Sequence, residues 1–185
     1  MGVWCGSEEE TSKEILDYFE QIFTSDYLEE FAKVLQGVPQ SISVEMNRKL
    51  TKEVSEQEIY QAVFSMQPNK SPEPDGMSPC FFQKFWQIVK SDIVPTVQSF
   101  FHSGFLLKSI NKTLISLIPK LDSPTLVTEY RSISLCNVSY EIIAKVLTNR
   151  FKNVLKHCIS ASQSAFVPGR QILDNVLIAH ESVHF

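Results

Sequence analysis

The segment His180-Glu-Ser-Val-His184 has the residue types and spacing of a helical zinc-hydrolase motif. On a helix, this spacing places both imidazoles on one face, with the Glu181 carboxylate beside them as a general base. A zinc site needs a third ligand as well. Neither the other histidines nor Cys5 nor Asp174 lie at a spacing from this segment that predicts one. A zinc hydrolase therefore remains one alternative, and the competing interpretation, which we favour, is surface histidines near a helix end.

The cysteines and the composition narrow the classes of protein to which the chain can belong. Four cysteines lie far apart and form no Cys-x-x-Cys pair, which predicts reduced thiols rather than a disulfide framework or a structural zinc site. With 185 residues, 43% of them hydrophobic, the chain can bury one ordinary core. No apolar run approaches the roughly 20 residues of a membrane span. The acidic start does not fit a targeting signal, so we expect an intracellular protein, nuclear or cytoplasmic.

The net charge of −4 conceals an asymmetry between the two halves of the chain. Residues 1–104 carry 8 Lys and Arg against 16 Asp and Glu, a net charge of −8. Residues 105–185 carry 9 against 5, a net charge of +4. Any surface that handles phosphate is therefore expected in the second half, although chance clustering on a solvated face is equally compatible with charge alone.

The first half reads as helices separated by turns. Acids alternate with apolar residues from Glu8 to Leu35, which predicts an amphipathic helix and a second short one around Tyr27–Leu35. Ser55-Glu-Gln-Glu58 is a capping box for a third helix. The apolar face of that third helix is predicted to consist of Ile59, Ala62, Val63 and Met66.

The proline-rich segment 68–76 excludes a helix and predicts a structured loop. Ser78-Pro79 then begins a helix, whose buried stripe is predicted to be Phe82, Phe85, Trp86 and Val89. A further helix is expected to restart over Ser91–Phe101, around Pro95, and to stop at Gly104.

The second half predicts a hairpin followed by long helices. Thr113–Ile118, ended by Pro119, and Tyr130–Leu135 read as strands joined across an Asp122–Glu129 turn. Asn137–His157 is the longest predicted helix. Its apolar face is expected to hold Ile142, Ile143, Val146, Leu147, Phe151, Val154 and Leu155, and its other face Lys145, Arg150, Lys152 and Lys156. A last helix runs from Gln171, and the whole predicts an α+β fold, mostly helical with a small β-hairpin.

Four strings resemble plant LINE-type reverse transcriptases, the polymerases of non-LTR retrotransposons. They are Lys70-Ser-Pro-Glu-Pro-Asp-Gly76, Leu117-Ile-Pro-Lys120, Tyr130-Arg-Ser-Ile-Ser-Leu-Cys-Asn137 and Gln163-Ser-Ala-Phe-Val-Pro-Gly-Arg170. Order and spacing fit from about Ser41 to the last residue. The resemblance implies that residues 1–40 are a helical connector between an endonuclease and the polymerase. It implies that residues 41–185 are a truncated reverse transcriptase domain, comprising the fingers of a right hand and the approach to the palm.

The resemblance also implies where ligands bind. Lys120 and Arg131, on the two arms of the hairpin, would contact the triphosphate of an incoming nucleotide. Lys70, Asp75 and Gly76 would touch the backbone of the template. The loop that carries Gln163, Phe166 and Arg170 would pack near the template and the nucleotide pocket, although a core Phe166 and a helix-start Arg170 are the competing interpretation. The basic face of the Asn137–His157 helix could lie along nucleic acid.

Two departures from the family pattern and one absence limit the expected activity. Glu73 stands where the family has glycine, and Ser132 stands where it has proline, as in a decayed copy. No Tyr-x-Asp-Asp turn occurs in the sequence, and the chain ends before the strand that carries the family's first metal-binding carboxylate. We therefore expect no catalytic residues, no metal site, no cofactor bound by this segment and no polymerisation by it alone, although Mg²⁺ is implied for the full-length enzyme.

The sequence thus predicts a fragment of an RNA-directed DNA polymerase that binds an RNA template, a DNA primer and a deoxynucleoside triphosphate, and that lacks the catalytic carboxylates. Its missing partner would be the palm and thumb segment, and no membrane is expected to be involved. The alternative from another class is a domesticated interaction module that binds protein through its acidic helical N-terminus. Binding of RNA or primer–template that weakens with salt would favour the first, and salt-insensitive binding of a protein would favour the second.

Overall fold

The computed structural model describes residues 6–25, 35–70, 76–160, 163, 167 and 169–183. The second short helix expected around Tyr27–Leu35 falls almost wholly outside these residues, as do Glu73, Asp75 and Phe166. The fold is α+β, mostly helical with one two-stranded antiparallel sheet, as the sequence predicted. In the described residues, no helix is long and apolar enough to cross a membrane.

The described helices and strands follow one another in this order: α1 Glu8–Phe23, α2 Val44–Leu50, α3 Glu56–Phe64, α4 Pro79–Lys84, α5 Trp86–Ser103, β1 Thr113–Pro119, β2 Tyr130–Cys136, α6 Val138–Cys158 and α7 Ile172–Val183. They form two compact units, one comprising Met1–Pro39 and Ile115–Ser134, the other Gln40–Leu114 and Leu135–Phe185. The first unit therefore holds α1 and most of the hairpin, and the second holds the other helices.

In the first unit, α1 begins at Ser7, whose side chain accepts a hydrogen bond from the Glu10 amide. Glu8, Glu9 and Glu10 occupy its first turn, where negative charge interacts favourably with the helix dipole. No residue of α1 is buried, and its apolar side exposes Leu16, Ile22 and Phe23. The hydrophobic periodicity therefore correctly predicted the helix, but the apolar face of α1 is not buried.

The second unit is organised around one hydrophobic core. α6 packs against α2, α3 and α5, and α4 packs against α3 and α5. The face of α3 predicted from the sequence is buried as expected, including Met66 just beyond the helix. The core consists of Val54, Ile59, Ala62, Val63, Met66, Phe82, Trp86, Ile93, Val97, Val138, Ile142, Ile143 and Val146. Burying such side chains contributes roughly 1.5–3 kcal/mol each relative to exposure, so this cluster is the main source of stability in the unit.

Local signals fix several helix ends as predicted. Ser55 and Glu58 form the capping box of α3, with both reciprocal hydrogen bonds present. Pro79 occupies the first turn of α4. α5 ends at Gly104, whose φ of 70° lies in the left-handed region that glycine adopts without a Cβ penalty.

The predicted helix break around Pro95 is wrong. The interruption lies at Phe85, between α4 and α5, and α5 continues through Pro95 to Ser103. Proline costs a helix the hydrogen bond to the residue four positions earlier. Here both Pro95 and Ser91 are exposed, so water can solvate the freed Ser91 carbonyl, while Ile93 and Val97 remain anchored in the core. Phe85 itself is 47% exposed rather than part of the buried stripe.

The predicted faces of α6 also need correction. Leu147 and Phe151, expected on the apolar face, are exposed. Arg150, expected on the basic face, is buried with only 9% of its surface exposed. Since Arg150 follows Val146 by one helical turn and Ile143 by two, it falls within the buried side of the helix. The exposed cations of α6 are therefore lysines.

Candidate functional site

The two strands of the hairpin pair in a register that two separate contacts define. The Lys120 amide donates a hydrogen bond to the Glu129 carbonyl at 2.8 Å, and Thr113 Oγ1 lies 3.6 Å from Cys136 Sγ at the other end. Both contacts fit one antiparallel register without a bulge, in which Arg131 lies opposite Ile118. Lys120 directly follows β1, and Arg131 is the second residue of β2, so both residues lie at the same end of the hairpin.

Lys120 is held by its own hairpin. Its Nζ donates a hydrogen bond to the Thr128 carbonyl at 2.7 Å, which holds the ammonium near the start of β2. An ammonium carries three donors, so this bond engages one of them. Arg131 is exposed, and it makes no hydrogen bond or ion pair with the described residues. Both cations are therefore solvent-exposed at the same end of the hairpin.

A carboxylate accompanies the two cations. Glu129 lies opposite Lys120, and its Oε2 accepts hydrogen bonds from the amides of Thr125 and Leu126 at 2.6 and 3.1 Å. The Thr125 amide, followed by the Leu126 amide, lowers the pKa of Glu129 below its ordinary value. The carboxylate thus closes the turn, and together with Asp122 in the same turn it balances the two cations, so that Lys120, Asp122, Glu129 and Arg131 sum to a net charge of zero.

In the second unit, Lys70 is engaged in a long-range ion pair. Its Nζ lies 2.8 Å from Oε1 of Glu141 in the first turns of α6, and 43% of the lysine side chain is exposed. The other oxygen of Glu141 is buried without a hydrogen-bond partner among the described residues. Gly76 adopts a φ of 75°, which a glycine at that turn permits. Of the predicted template contacts, Lys70 is therefore committed to a partner in the chain, and Asp75 lies outside the described residues.

The loop that precedes α7 is closed by Arg170. Its Nη1 donates to the Ser160 carbonyl and to the Gln163 carbonyl, both at 2.6 Å. Val167 between them is buried. Gln163 and Arg170 therefore lie together, and Arg170 stabilises the loop through backbone contacts. The template contact predicted for these two residues remains a prediction.

Sequence reasoning missed the cation that makes the most hydrogen bonds among the described residues. Arg150 donates through Nε and Nη2 to the two oxygens of Glu58, at 2.9 and 3.2 Å. It also donates to the carbonyls of Leu50, Lys52 and Glu53, at 2.6–3.1 Å. These bonds engage all five guanidinium donors, so Arg150 is a structural clamp with no donor left for a ligand. The apolar periodicity of α6, which includes position 150, is the signal that could have revealed it.

The pKa of Glu58, the residue at the other end of this clamp, is also shifted. Partial burial raises the pKa of the Glu58 carboxyl, but hydrogen bonds from Arg150 and from the Ser55 amide, with the Arg150 charge, lower it to about 2 overall. A groove of about 750 Å³ lies beside the clamp, between residues 50–54 and α5. Arg150 lines this groove but has no donor left to offer to a ligand there.

The histidine motif gains no support as a metal site. His180 and Glu181 lie on α7, and His184 falls outside the described residues. Within the part of the chain that the structure describes, no three His, Cys, Asp or Glu side chains gather closely enough to hold a metal ion.

Comparison with known proteins supplies a relative but no family profile. No protein-family model matches the chain. Over 170 residues, which is 91% of the chain, it is 33% identical to the transposon TX1 uncharacterized 149 kDa protein of Xenopus laevis. The chain spans 13% of the length of that protein. It is therefore related in sequence to a transposon-encoded protein, which confirms the transposon relationship that the four strings predicted.

Proposed function

We propose that this chain is a fragment of the RNA-directed DNA polymerase of a plant-type non-LTR retroelement, and that it binds nucleotide and template–primer without the catalytic carboxylates. The observation that carries the proposal is the presence of two exposed cations, Lys120 and Arg131, at the same end of the hairpin. The sequence similarity to a transposon protein over 91% of the chain supports it. Both side chains are exposed, so an anion can reach them without displacing a core residue.

The two cations suit a triphosphate in different ways. The planar Arg131 guanidinium can donate two parallel hydrogen bonds to one phosphate group, whereas the Lys120 ammonium acts as a point charge. Both side chains are long and lie at the same end of the hairpin, which would allow them to contact adjacent phosphates of one ligand. Because the bond from Lys120 to the Thr128 carbonyl restrains the ammonium before binding, less side-chain entropy is lost on binding.

The described residues do not form a magnesium site of their own, since no three candidate ligand side chains gather there. The proposed role of Lys120 and Arg131 is to bind phosphate through their own charges. The Glu129 carboxylate does not prevent this binding, because it accepts hydrogen bonds from the Thr125 and Leu126 amides at the turn.

The test is binding of a fluorescent deoxynucleoside triphosphate to the full chain in the presence of an RNA–DNA primer–template. The double variant Lys120→Gln/Arg131→Gln should bind about tenfold more weakly, equivalent to about 1.4 kcal/mol for two exposed charge-assisted contacts. The matched control is Lys108→Gln/Lys112→Gln, which changes the net charge equally at exposed positions before β1. Equal weakening in both double variants would refute a specific nucleotide site.

One observation favours a second function, a protein-interaction module that acts through α1. This helix buries none of its residues and presents Leu16, Ile22 and Phe23 beside a strongly acidic side. An apolar helix face can dock in a hydrophobic groove of another protein. A module of this kind should bind its protein partner with little dependence on salt. Leu16→Ser/Phe23→Ser should abolish that binding without lowering the unfolding midpoint, whereas a lowered midpoint would show that the face is structural.

A further inference from the structure

One flank of α6 carries the three lysines that remain of the predicted basic face once Arg150 is assigned to the buried clamp. Lys145, Lys152 and Lys156, here called the lysine strip, lie at relative positions 0, 7 and 11 along the helix. At about 100° per residue, all three fall within about 40° of one another around the helix axis. At 1.5 Å per residue, the strip is about 16 Å long. Lys152 and Lys156 are exposed, and Lys145 is partly exposed.

From this geometry we propose that the lysine strip binds the sugar–phosphate backbone of a nucleic-acid duplex. The inference deepens the proposed function and rests on it, because it names a second surface for the template–primer. A strip about 16 Å long matches about five successive phosphates of one strand at 3.4 Å of axial rise each. The surface lies on a different element from the hairpin cations, so the two can be tested separately.

The charges around the strip favour an anion. Glu141 is the one carboxylate on α6, and Lys70 already neutralises it through the 2.8 Å ion pair. Arg150 contributes nothing to this surface, because it is buried and fully hydrogen-bonded. Of the charges on α6 itself, those of the three lysines are therefore left on this flank. Ammonium groups on flexible stems contact phosphate as point charges and do not read bases, so we expect binding that is independent of sequence.

The side chains between and beside the lysines favour a duplex over other anionic partners. Asn149 is the residue of α6 that lies within the strip, and no aromatic ring accompanies it. Single-stranded nucleic acid is typically held by aromatic rings on which bases stack. The exposed Phe151 lies about 120° away around the helix, too far to act together with the strip on a single strand. An anionic membrane would require apolar residues beside the cations, and the strip has none.

The experiment measures binding of the full chain to a short RNA–DNA hybrid duplex at several salt concentrations. The strip variant is Lys145→Gln/Lys152→Gln/Lys156→Gln, and the control is Lys84→Gln/Lys108→Gln/Lys112→Gln, three exposed lysines elsewhere in the second unit. The slope of log affinity against log salt should fall in magnitude by about 3 in the strip variant. Between about 50 and about 200 mM salt, the wild type should therefore lose about 40-fold more affinity than the strip variant does.

Each outcome bears on the proposal. If the slope of the strip variant equals that of the control variant, the lysine strip does not bind the duplex, and the proposed function is unaffected. A wild type that binds no duplex at low salt overturns both, and binding of phosphatidylserine vesicles instead of duplex would replace the duplex with a membrane. Should the triple variant unfold, Lys152→Gln/Lys156→Gln changes only exposed residues, and its slope should fall by about 2.

Discussion

Glu58→Gln tests whether the clamp between α3 and α6 holds the second unit together. Its carboxylate accepts two hydrogen bonds from Arg150 and one from the Ser55 amide at 3.0 Å. Glutamine keeps the length of the side chain and one acceptor oxygen, so the capping of α3 is largely retained. The variant therefore removes mainly the negative charge that faces a buried guanidinium.

The magnitude follows from the pKa of Glu58. Lowering it from 4.5 to about 2 corresponds to roughly 3 kcal/mol of stabilisation of the charged form in the folded state. The Glu58 side chain is 31% exposed, so solvent screening reduces the expected contribution to about 2 kcal/mol. We therefore expect Glu58→Gln to lower the free energy of unfolding by about 2 kcal/mol at about pH 7.

The sign of the pH dependence distinguishes this mechanism from simple loss of packing. A carboxyl whose pKa is lowered by folding stabilises the folded state fully above its unfolded pKa, and this stabilisation is lost as pH falls through the folded pKa. The difference between wild type and Glu58→Gln should therefore be constant above about pH 5, shrink below about pH 4.5, and nearly vanish at about pH 2.

Urea unfolding followed by the fluorescence of Trp86, which is 5% exposed in the core, measures this difference. The matched control is Glu56→Gln, two residues away, because its ion pair with Lys90 spans 3.5 Å between largely exposed side chains. An exposed pair of this kind contributes less than about 1 kcal/mol. Equal destabilisation by the two variants, or a Glu58→Gln difference that persists at about pH 2, would refute the clamp.

Two further predictions concern the same unit, and urea unfolding measures both. Arg150→Leu should cost about 3 kcal/mol or more, because it leaves Glu58 and three backbone carbonyls without their donor, and a cost below about 1 kcal/mol would contradict the burial of the guanidinium. Asn137→Ala should cost about 1–2 kcal/mol, since Nδ2 of Asn137 donates to the carbonyls of Ser109 and Ile110. Asn137→Asp should lower the free energy of unfolding by as much, because a carboxylate cannot donate these hydrogen bonds. An Asp variant as stable as the wild type would show that these bonds do not contribute to stability.

The parts of the fold that the sequence predicted depend on neighbours in the chain. The capping box at Ser55, the left-handed Gly104 and the paired strands each arise from residues within a few positions of one another. The errors arise where tertiary packing decides. Phe85 and Trp86 are adjacent and equally apolar, but the bend between α4 and α5 buries one and exposes the other. Pro95 ends no helix, because the core holds the turns on either side of it.

In the candidate site too, features set by neighbouring residues could be predicted, and features set by tertiary packing could not. That Lys120 and Arg131 lie on the two hairpin arms could be predicted from the sequence, but the register that sets which residues lie opposite each other is not specified by the chain alone. The pairing of Lys70 with Glu141 joins residues 71 positions apart and has no local signal. The burial of Arg150 likewise depends on carbonyls about 100 positions earlier, which only the folded chain brings within reach.

Whether a cation of this chain can meet phosphate depends on the chemistry of its head group as much as on charge. The planar guanidinium of Arg150 carries five fixed donors, which three carbonyls and one carboxylate satisfy completely, so its charge can be buried. An ammonium is compact and strongly hydrated and cannot span that set of acceptors, so the lysines of α6 stay in water. Arg170 and Lys70 are likewise committed to partners in the chain. The positive charge of the second half is therefore available to an anion at fewer places than its residue count suggests, and the exposed cations of the hairpin and of the lysine strip are two of those places.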